Sequence, residues 1–159
     1  MPAPAKVCTC LWCNGDGEAA AQFYVALLPD SRIEATSQVL PGAPPLVIEF
    51  TLAGSPFMIL NMVPSEGASP VRHGIAASIS VRTEDQAETD RLWAALLDGG
   101  GEERRCGWLT DRFGILWQIV PDVLPKMLND TDRAAAGRAR EAMMKMRKID
   151  IAALEAAFG

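Results

Sequence analysis

Reactive side chains are sparse in the apolar stretches of this chain, and their neighbours limit the chemistry open to them. The segment "GWLTDRFGILWQIVP" (107–121) reads as a turn followed by a strand over 115–120, in which Gln118 is the one polar residue. An amide there can orient a ligand through its carbonyl oxygen and N–H groups, or bond to a neighbouring strand. Just upstream, Cys106-Gly107-Trp108 sets a thiol beside an indole. A nucleophilic thiolate needs a base or cation close by; Arg104 and Arg105 adjoin it, no histidine does, and packing or ligand contact is the expectation. His73 is the single histidine and lies in a loop, where it could serve a pocket as general acid or base or simply be solvated. Asn61, at the end of a strand, is expected to help shape a cavity rim. Asp111 and Arg112 precede a tight turn, which points to a turn or ion-pair role rather than catalysis.

Three of the four cysteines fall in "CTCLWC" (8–13). Their C-x-C-x2-C spacing lacks the paired C-x2-C knuckles of a zinc site, and one histidine cannot complete one. Cys8 and Cys10 share a strand face and are expected to pack as small apolar groups.

The chain has 159 residues, 49% of them hydrophobic and 22% charged, the composition of a soluble globular protein. No apolar run approaches the roughly 18 residues of a membrane span, and "MPAPAKVCTC" has no basic-then-apolar signal pattern. A cytoplasmic location without membrane association is therefore expected. With a net charge of −5 and basic residues scattered or near the C-terminus, nucleic acid is not an expected partner.

These residues are carried by elements that recur. "QFYVALL" (22–28) and "RLWAALL" (91–97) align at an offset of 69, Tyr24 on Trp93 and Leu27 on Leu96. Both are amphipathic at helical spacing and both end at turn residues. The same offset lays strand-like "VCTCLW" (7–12) over "AASISV" (76–81). Three strand-like stretches follow each helix: 32–40, 46–52 and 57–61 in the first half, 102–106, 108–112 and 115–120 in the second. Each half thus reads βαβββ. Module one covers 5–62, a Pro/Gly/Ser-rich linker 63–74, and module two 75–121, together one domain. Beyond Pro121 the pattern is helical to residue 159, in three pieces. Asp130, Thr131 or Asp132 is expected to cap the second piece and Asp150 the third, with Met143, Met146 and Ile149 as a packing stripe.

A tandem βαβββ repeat ending in a Phe-Gly turn and a strand with a central polar residue resembles the vicinal-oxygen-chelate superfamily, which includes glyoxalase I and bleomycin-resistance proteins. Within it, "CLWCNG", "PDSRI", "GSPFMILN", "RLWAALLDGG", "CGWLTDRFGILWQIVP" and "KIDIAALEAAF" resemble the PhnB-like branch, whose members often carry the label 3-demethylubiquinone-9 3-methyltransferase. The resemblance implies an α+β fold of two mixed sheets curled into cups, a helix on each outer face, and a C-terminal helical tail. It also implies homodimers. In metal-bearing relatives four side chains, one each from the first and fourth strands of both modules, hold a divalent ion acting as Lewis acid.

Carried over, those four positions are Val7, Met58, Ala76 and Gln118. Only Gln118 offers a donor suited to a hard cation, so no metal and no other cofactor is expected. Alternation puts Ala76, Ser78, Ser80 and Gln118 on the cavity face, and Ile79, Val81, Trp117 and Ile119 on the helix side. At the offset of 69 it also puts Thr9 on the cavity face and Trp12 on the helix side. The hydroxyls of Ser78 and Thr9 could donate to a ligand or bond their own sheet.

Methyl transfer would require a glycine-rich cofactor loop after a first strand. "DGGGEE" (98–103) follows a helix instead and reads as a helix terminus plus turn. The expected function is binding of a small molecule in a metal-free cup, lined by Gln118, Ser78, Thr9, Met58, Asn61, Cys106, Trp108 and His73. The alternative is an enzyme acting on a small molecule in that cavity, metal-independent or a methyltransferase as the family label implies.

Overall fold

A computed structural model describes residues 5–159. The described chain divides between Arg72 and His73 into two compact units. The first contains β1 (Thr9–Cys13), α1 (Gly17–Leu27), β2 (Arg32–Ser37), β3 (Val47–Leu52) and β4 (Ser55–Asn61). The second contains β5 (Ile79–Thr83), α2 (Gln86–Leu97), β6 (Glu102–Glu103), β7 (Trp108–Thr110) and β8 (Leu116–Pro121), followed by α3 (Val123–Leu128), α4 (Arg133–Lys145) and α5 (Ile151–Phe158). Two βαβββ modules and a helical tail are what the sequence pattern predicts. Each unit's sheet is mixed and four-stranded, in the orders β1-β4-β3-β2 and β5-β8-β7-β6, and only β1/β4 and β5/β8 pair in parallel.

Each sheet buries one face under its own helix. In the first unit Leu11, Ile48, Phe50 and Ile59 face Ala20, Ala21, Tyr24 and Leu27 of α1; all of them are buried. In the second, Val81, Leu109, Trp117 and Ile119 are matched by Leu92, Trp93 and Leu96 of α2. β-branched and aromatic residues suit a pleated, half-buried surface, and the helices supply apolar stripes at i, i+3, i+4.

The strand expectation is corrected by one residue. Leu11 and Cys13 are buried in β1 as Val81 and Thr83 are in β5, an offset of 70, whereas Tyr24 and Trp93 keep the helical offset of 69. The link from strand to helix is one residue longer in the first module. Because strand side chains alternate, a slip of one exchanges the faces. Thr9 therefore lies in line with Leu11 and Cys13 on the helix side, and Trp12 is on the open face with Cys10, the reverse of the expectation. Cys8 and Cys10 are exposed rather than packed, and Cys13 is the buried cysteine of the trio.

The tail packs on the second unit. Leu124, Met127, Ala139, Ile149 and Leu154 form its core, joined by Val120 from β8 and by Met143 and Met146. Asp132 caps α4, accepting from Ala134 N and Ala135 N at 3.0 Å, and Asp150 caps α5, accepting from Ala153 N at 2.9 Å. Among the described residues, no helix is long and apolar enough to cross a membrane.

Candidate open-face site of the second unit

Strand pairing lines side chains into rows across the sheet. In the second unit Ser80 pairs with Gln118, Gln118 with Trp108, and the Arg104 N–H donates to the Trp108 carbonyl at 2.8 Å. Ser80, Gln118, Trp108 and Arg104 therefore form one row on the face away from α2. The parallel row is Ser78, Leu116, Thr110 and Glu102. The Gln118 Nε2 donates to Ser78 Oγ at 2.8 Å, tying the two rows together. Arg104 Nε donates to Thr110 Oγ1 at 2.8 Å and fixes the guanidinium over the same face. Gln118, Trp108, Ser78 and Thr110 are half-buried, and Ser80 and Arg104 are exposed.

The β6–β7 hairpin that presents Arg104 and Trp108 is held from outside the sheet. Cys106 has φ 59° and Gly107 φ 79°; their N–H groups donate to Met146 O at 2.9 Å and Arg147 O at 2.7 Å, in the stretch between α4 and α5. A Cβ at Gly107 would lie 2.7 Å from the Ile119 carbonyl and 3.1 Å from Ile149 Cγ1, so only glycine allows the tail this close. Cys106 Sγ sits 3.7 Å from Met144 Sδ. The thiol thus contacts the tail.

In the first unit the equivalent row is Cys10, Met58, Glu49 and Ala35. The residues beside Met58 and Gln118 are Cys10 and Ser80, not Val7 and Ala76, which precede their strands; Val7 is 80% exposed. Neither row is a donor set for a hard divalent ion: the first unit offers the Met58 thioether and the Cys10 thiol beside the Glu49 carboxylate, and the second the Ser80 hydroxyl and the neutral Gln118 amide. Among the described residues, no group of three or more His, Cys, Asp or Glu is placed to hold a metal. The chemistry available along the second unit's row is hydrogen bonding, ring stacking and one cation.

Three expected site residues lie elsewhere. Asn61 faces α1 and is 6% exposed; its Oδ1 accepts from Gly15 N at 3.0 Å and Gly17 N at 2.9 Å, and its Nδ2 donates to Pro45 O at 3.1 Å. It joins the entry of the helix to the sheet rather than shaping a rim. Thr9 is exposed on the helix-side register of β1. His73 is half-buried in the irregular segment before β5. Asp111 does serve its turn: it is 3% exposed and accepts from Phe113 N, Ile115 N and the Trp117 indole at 2.8–3.0 Å. Gly99 and Gly100, with positive φ, end α2 and enter β6, as a terminus and turn require.

A hollow of about 480 Å³ lies apart from the second unit's row, between the start of α2 and the tail. Several of its polar groups are already engaged within the fold. Asp85 and Asp150 cap helices, Lys148 pairs with Asp90 at 2.6 Å, and Gln86 holds Ile149 O at 3.1 Å and Ile151 N at 2.8 Å. This is the seam that docks the tail.

Two successive βαβββ modules, each a mixed sheet with its helix on one face, define a protein of the glyoxalase/bleomycin-resistance fold. The structure is similar to fosfomycin-resistance proteins FosX from Mesorhizobium loti and Listeria monocytogenes, each 13% identical over 80% of this chain and 98% and 99% of theirs, with TM-scores of 0.53 and 0.55. It is also similar to a PhnB protein from Bacillus cereus, 25% identical over 74% of this chain and 99% of that one, with a TM-score of 0.65. No curated protein sequence matches. Residues 5–120 match the family described as 3-demethylubiquinone-9 3-methyltransferase, and the chain belongs to that PhnB-like family. The tail from residue 121 lies beyond the matched region.

Proposed function

We propose that this protein binds a small molecule, without a metal, on the open face of the second unit's sheet. The observation that carries this reading is the row Ser80–Gln118–Trp108–Arg104, in which Ser78 fixes the Gln118 amide and the tail fixes the hairpin bearing Trp108. A pre-set amide and indole side by side bind without first being ordered, which lowers the entropic cost of association. Met58 lies on the first unit's own open face, beside Cys10. The neutral donors of the second unit's row, the Gln118 amide and the Ser80 hydroxyl, favour organic ligands over a cation.

The family description favours a second reading, an enzyme acting on the same ligand, by methyl transfer or by another metal-independent reaction. The row offers binding groups but no acid–base pair, so we rank this reading below binding alone. We assign the protein to the cytoplasm and to a homodimer, with neither nucleic acid nor membrane as partner.

A thermal-shift screen tests the primary reading, because a ligand bound only by the folded state raises the melting temperature. The expected hit stabilises the wild type and fails to stabilise Gln118→Ala. Metal analysis of the purified protein overturns the reading if it finds a stoichiometric divalent ion that Gln118→Ala loses.

A further inference from the structure

Three polar groups in the open-face row have no protein partner among the described residues. The indole N–H of Trp108 donates to nothing, whereas those of Trp93 and Trp117 donate to Glu103 and Asp111 at 2.9 and 2.8 Å. The Gln118 amide is engaged through its nitrogen by Ser78, leaving its carbonyl oxygen without a donor. Arg104 is held through Nε by Thr110, which leaves both terminal nitrogens outward, and it forms none of the ion pairs found among the described residues. Its neighbours are paired: Arg82 meets Asp122 and Arg147 meets Glu103. Glu102, on the same face one row away, is not within ion-pair distance of Arg104.

The spacing of these groups selects a shape. Adjacent strands lie about 4.8 Å apart, so Arg104 and Gln118 are separated by about 10 Å with the Trp108 ring between them. A guanidinium with both terminal nitrogens free matches a carboxylate in a two-pronged contact, and an indole face accepts a flat ring.

We propose that the row takes a planar aromatic carboxylate, its acid group on Arg104, its ring on Trp108, and a hydroxyl at the far end on the Gln118 carbonyl and Ser80. This rests on the binding reading above and adds the ligand's class. The ring covers the indole while its π-face leaves the Trp108 N–H at the edge for the carboxylate or water.

The experiment is a calorimetric titration with two probes, 6-hydroxy-2-naphthoate and its neutral carboxamide. The wild type is expected to bind the carboxylate at least about tenfold more tightly than the amide, the scale of a charge-assisted pair of hydrogen bonds. Arg104→Met, at an exposed position, should remove that preference by weakening the carboxylate about tenfold more than the carboxamide; Trp108→Leu should weaken both probes. Circular dichroism melts establish that each variant is folded. Equal binding of the two probes, or indifference of the preference to Arg104→Met, overturns the acid class; if Gln118→Ala still weakens both, the open-face reading survives. Binding of both probes that ignores Gln118→Ala and Trp108→Leu overturns the site as well. No binding of the naphthoate at millimolar concentration overturns the aromatic-acid class alone, since the thermal-shift screen reads the site independently.

Discussion

Asn61 and Gln118 are amides on corresponding strands, one at the end of β4 and one in the middle of β8, and their neighbours divide their roles. Asn61 on the helix face has all its bonds inside the fold, with two backbone N–H groups and one carbonyl. Asn61→Ala would strand those buried groups and should cost about 3 kcal/mol in urea unfolding. Gln118 is half-buried on the opposite kind of face and keeps its carbonyl for another partner. Gln118→Ala should cost less than about 1 kcal/mol while removing ligand stabilisation. Equal destabilisation by the two substitutions would contradict this division. The central Gln118, its alternation with Trp117 and Ile119, and its company with Ser78 are legible in the sequence because a strand's period is local. Arg104 is not, because its place opposite Trp108 depends on a hairpin turn that the tail closes, and no local pattern reports that contact.

The tail is the element that extends past the family region, and its attachment is ionic and backbone-mediated as well as apolar. Its helices are readable from the Met and Ala spacing and its caps from Asp150 and from the choice among Asp130, Thr131 and Asp132, but its seat on Cys106–Gly107 is not. The slip between strand and helix offsets has the same origin: a one-residue change in a loop leaves each element's pattern intact while exchanging strand faces. At the seam, the Lys148 ammonium hydrogen-bonded to Asp90 holds that carboxyl below the usual range, with help from Gln86. The Ala135 N–H, then that of Ala134, does the same for Asp132. A carboxyl lowered on folding contributes stability above its unfolded pKa of about 3.9 and loses it as pH falls through the lowered value. The melting temperature should therefore fall as the pH drops below about 4. Both groups are exposed, so the effect is modest. Asp90→Asn should shallow that fall, and 1 M salt should reduce the difference between wild type and variant. A fall of the same slope in Asp90→Asn would show that the seam does not contribute. In the same seam, Gln86→Ala removes two contacts to the tail backbone and should speed amide exchange at Ile151.

At the scale of the whole molecule, apolar exposure is concentrated in connecting segments rather than at sheet edges. The edge strand β2 is guarded by charge, with Arg32 paired to Glu34 at 2.8 Å, and the edge strand β6 has only two residues. Val39, Leu40, Val63 and Ile75, however, are 65–72% exposed in the single chain. A second copy covering the Val39–Leu40 loop would form a homodimer, and burying apolar area of this kind contributes roughly 25 cal/mol per Å². Light scattering coupled to size exclusion should therefore give twice the 17.1 kDa chain mass at micromolar concentration. Val39→Asp with Leu40→Asp should shift the mass toward one chain, with the circular dichroism spectrum unchanged because both residues lie outside strands and helices. A monomeric mass for the wild type at every concentration up to about 100 µM, which excludes association stronger than about −5.5 kcal/mol, sinks the dimer. A dimer that persists in the double variant would instead move the interface away from this loop.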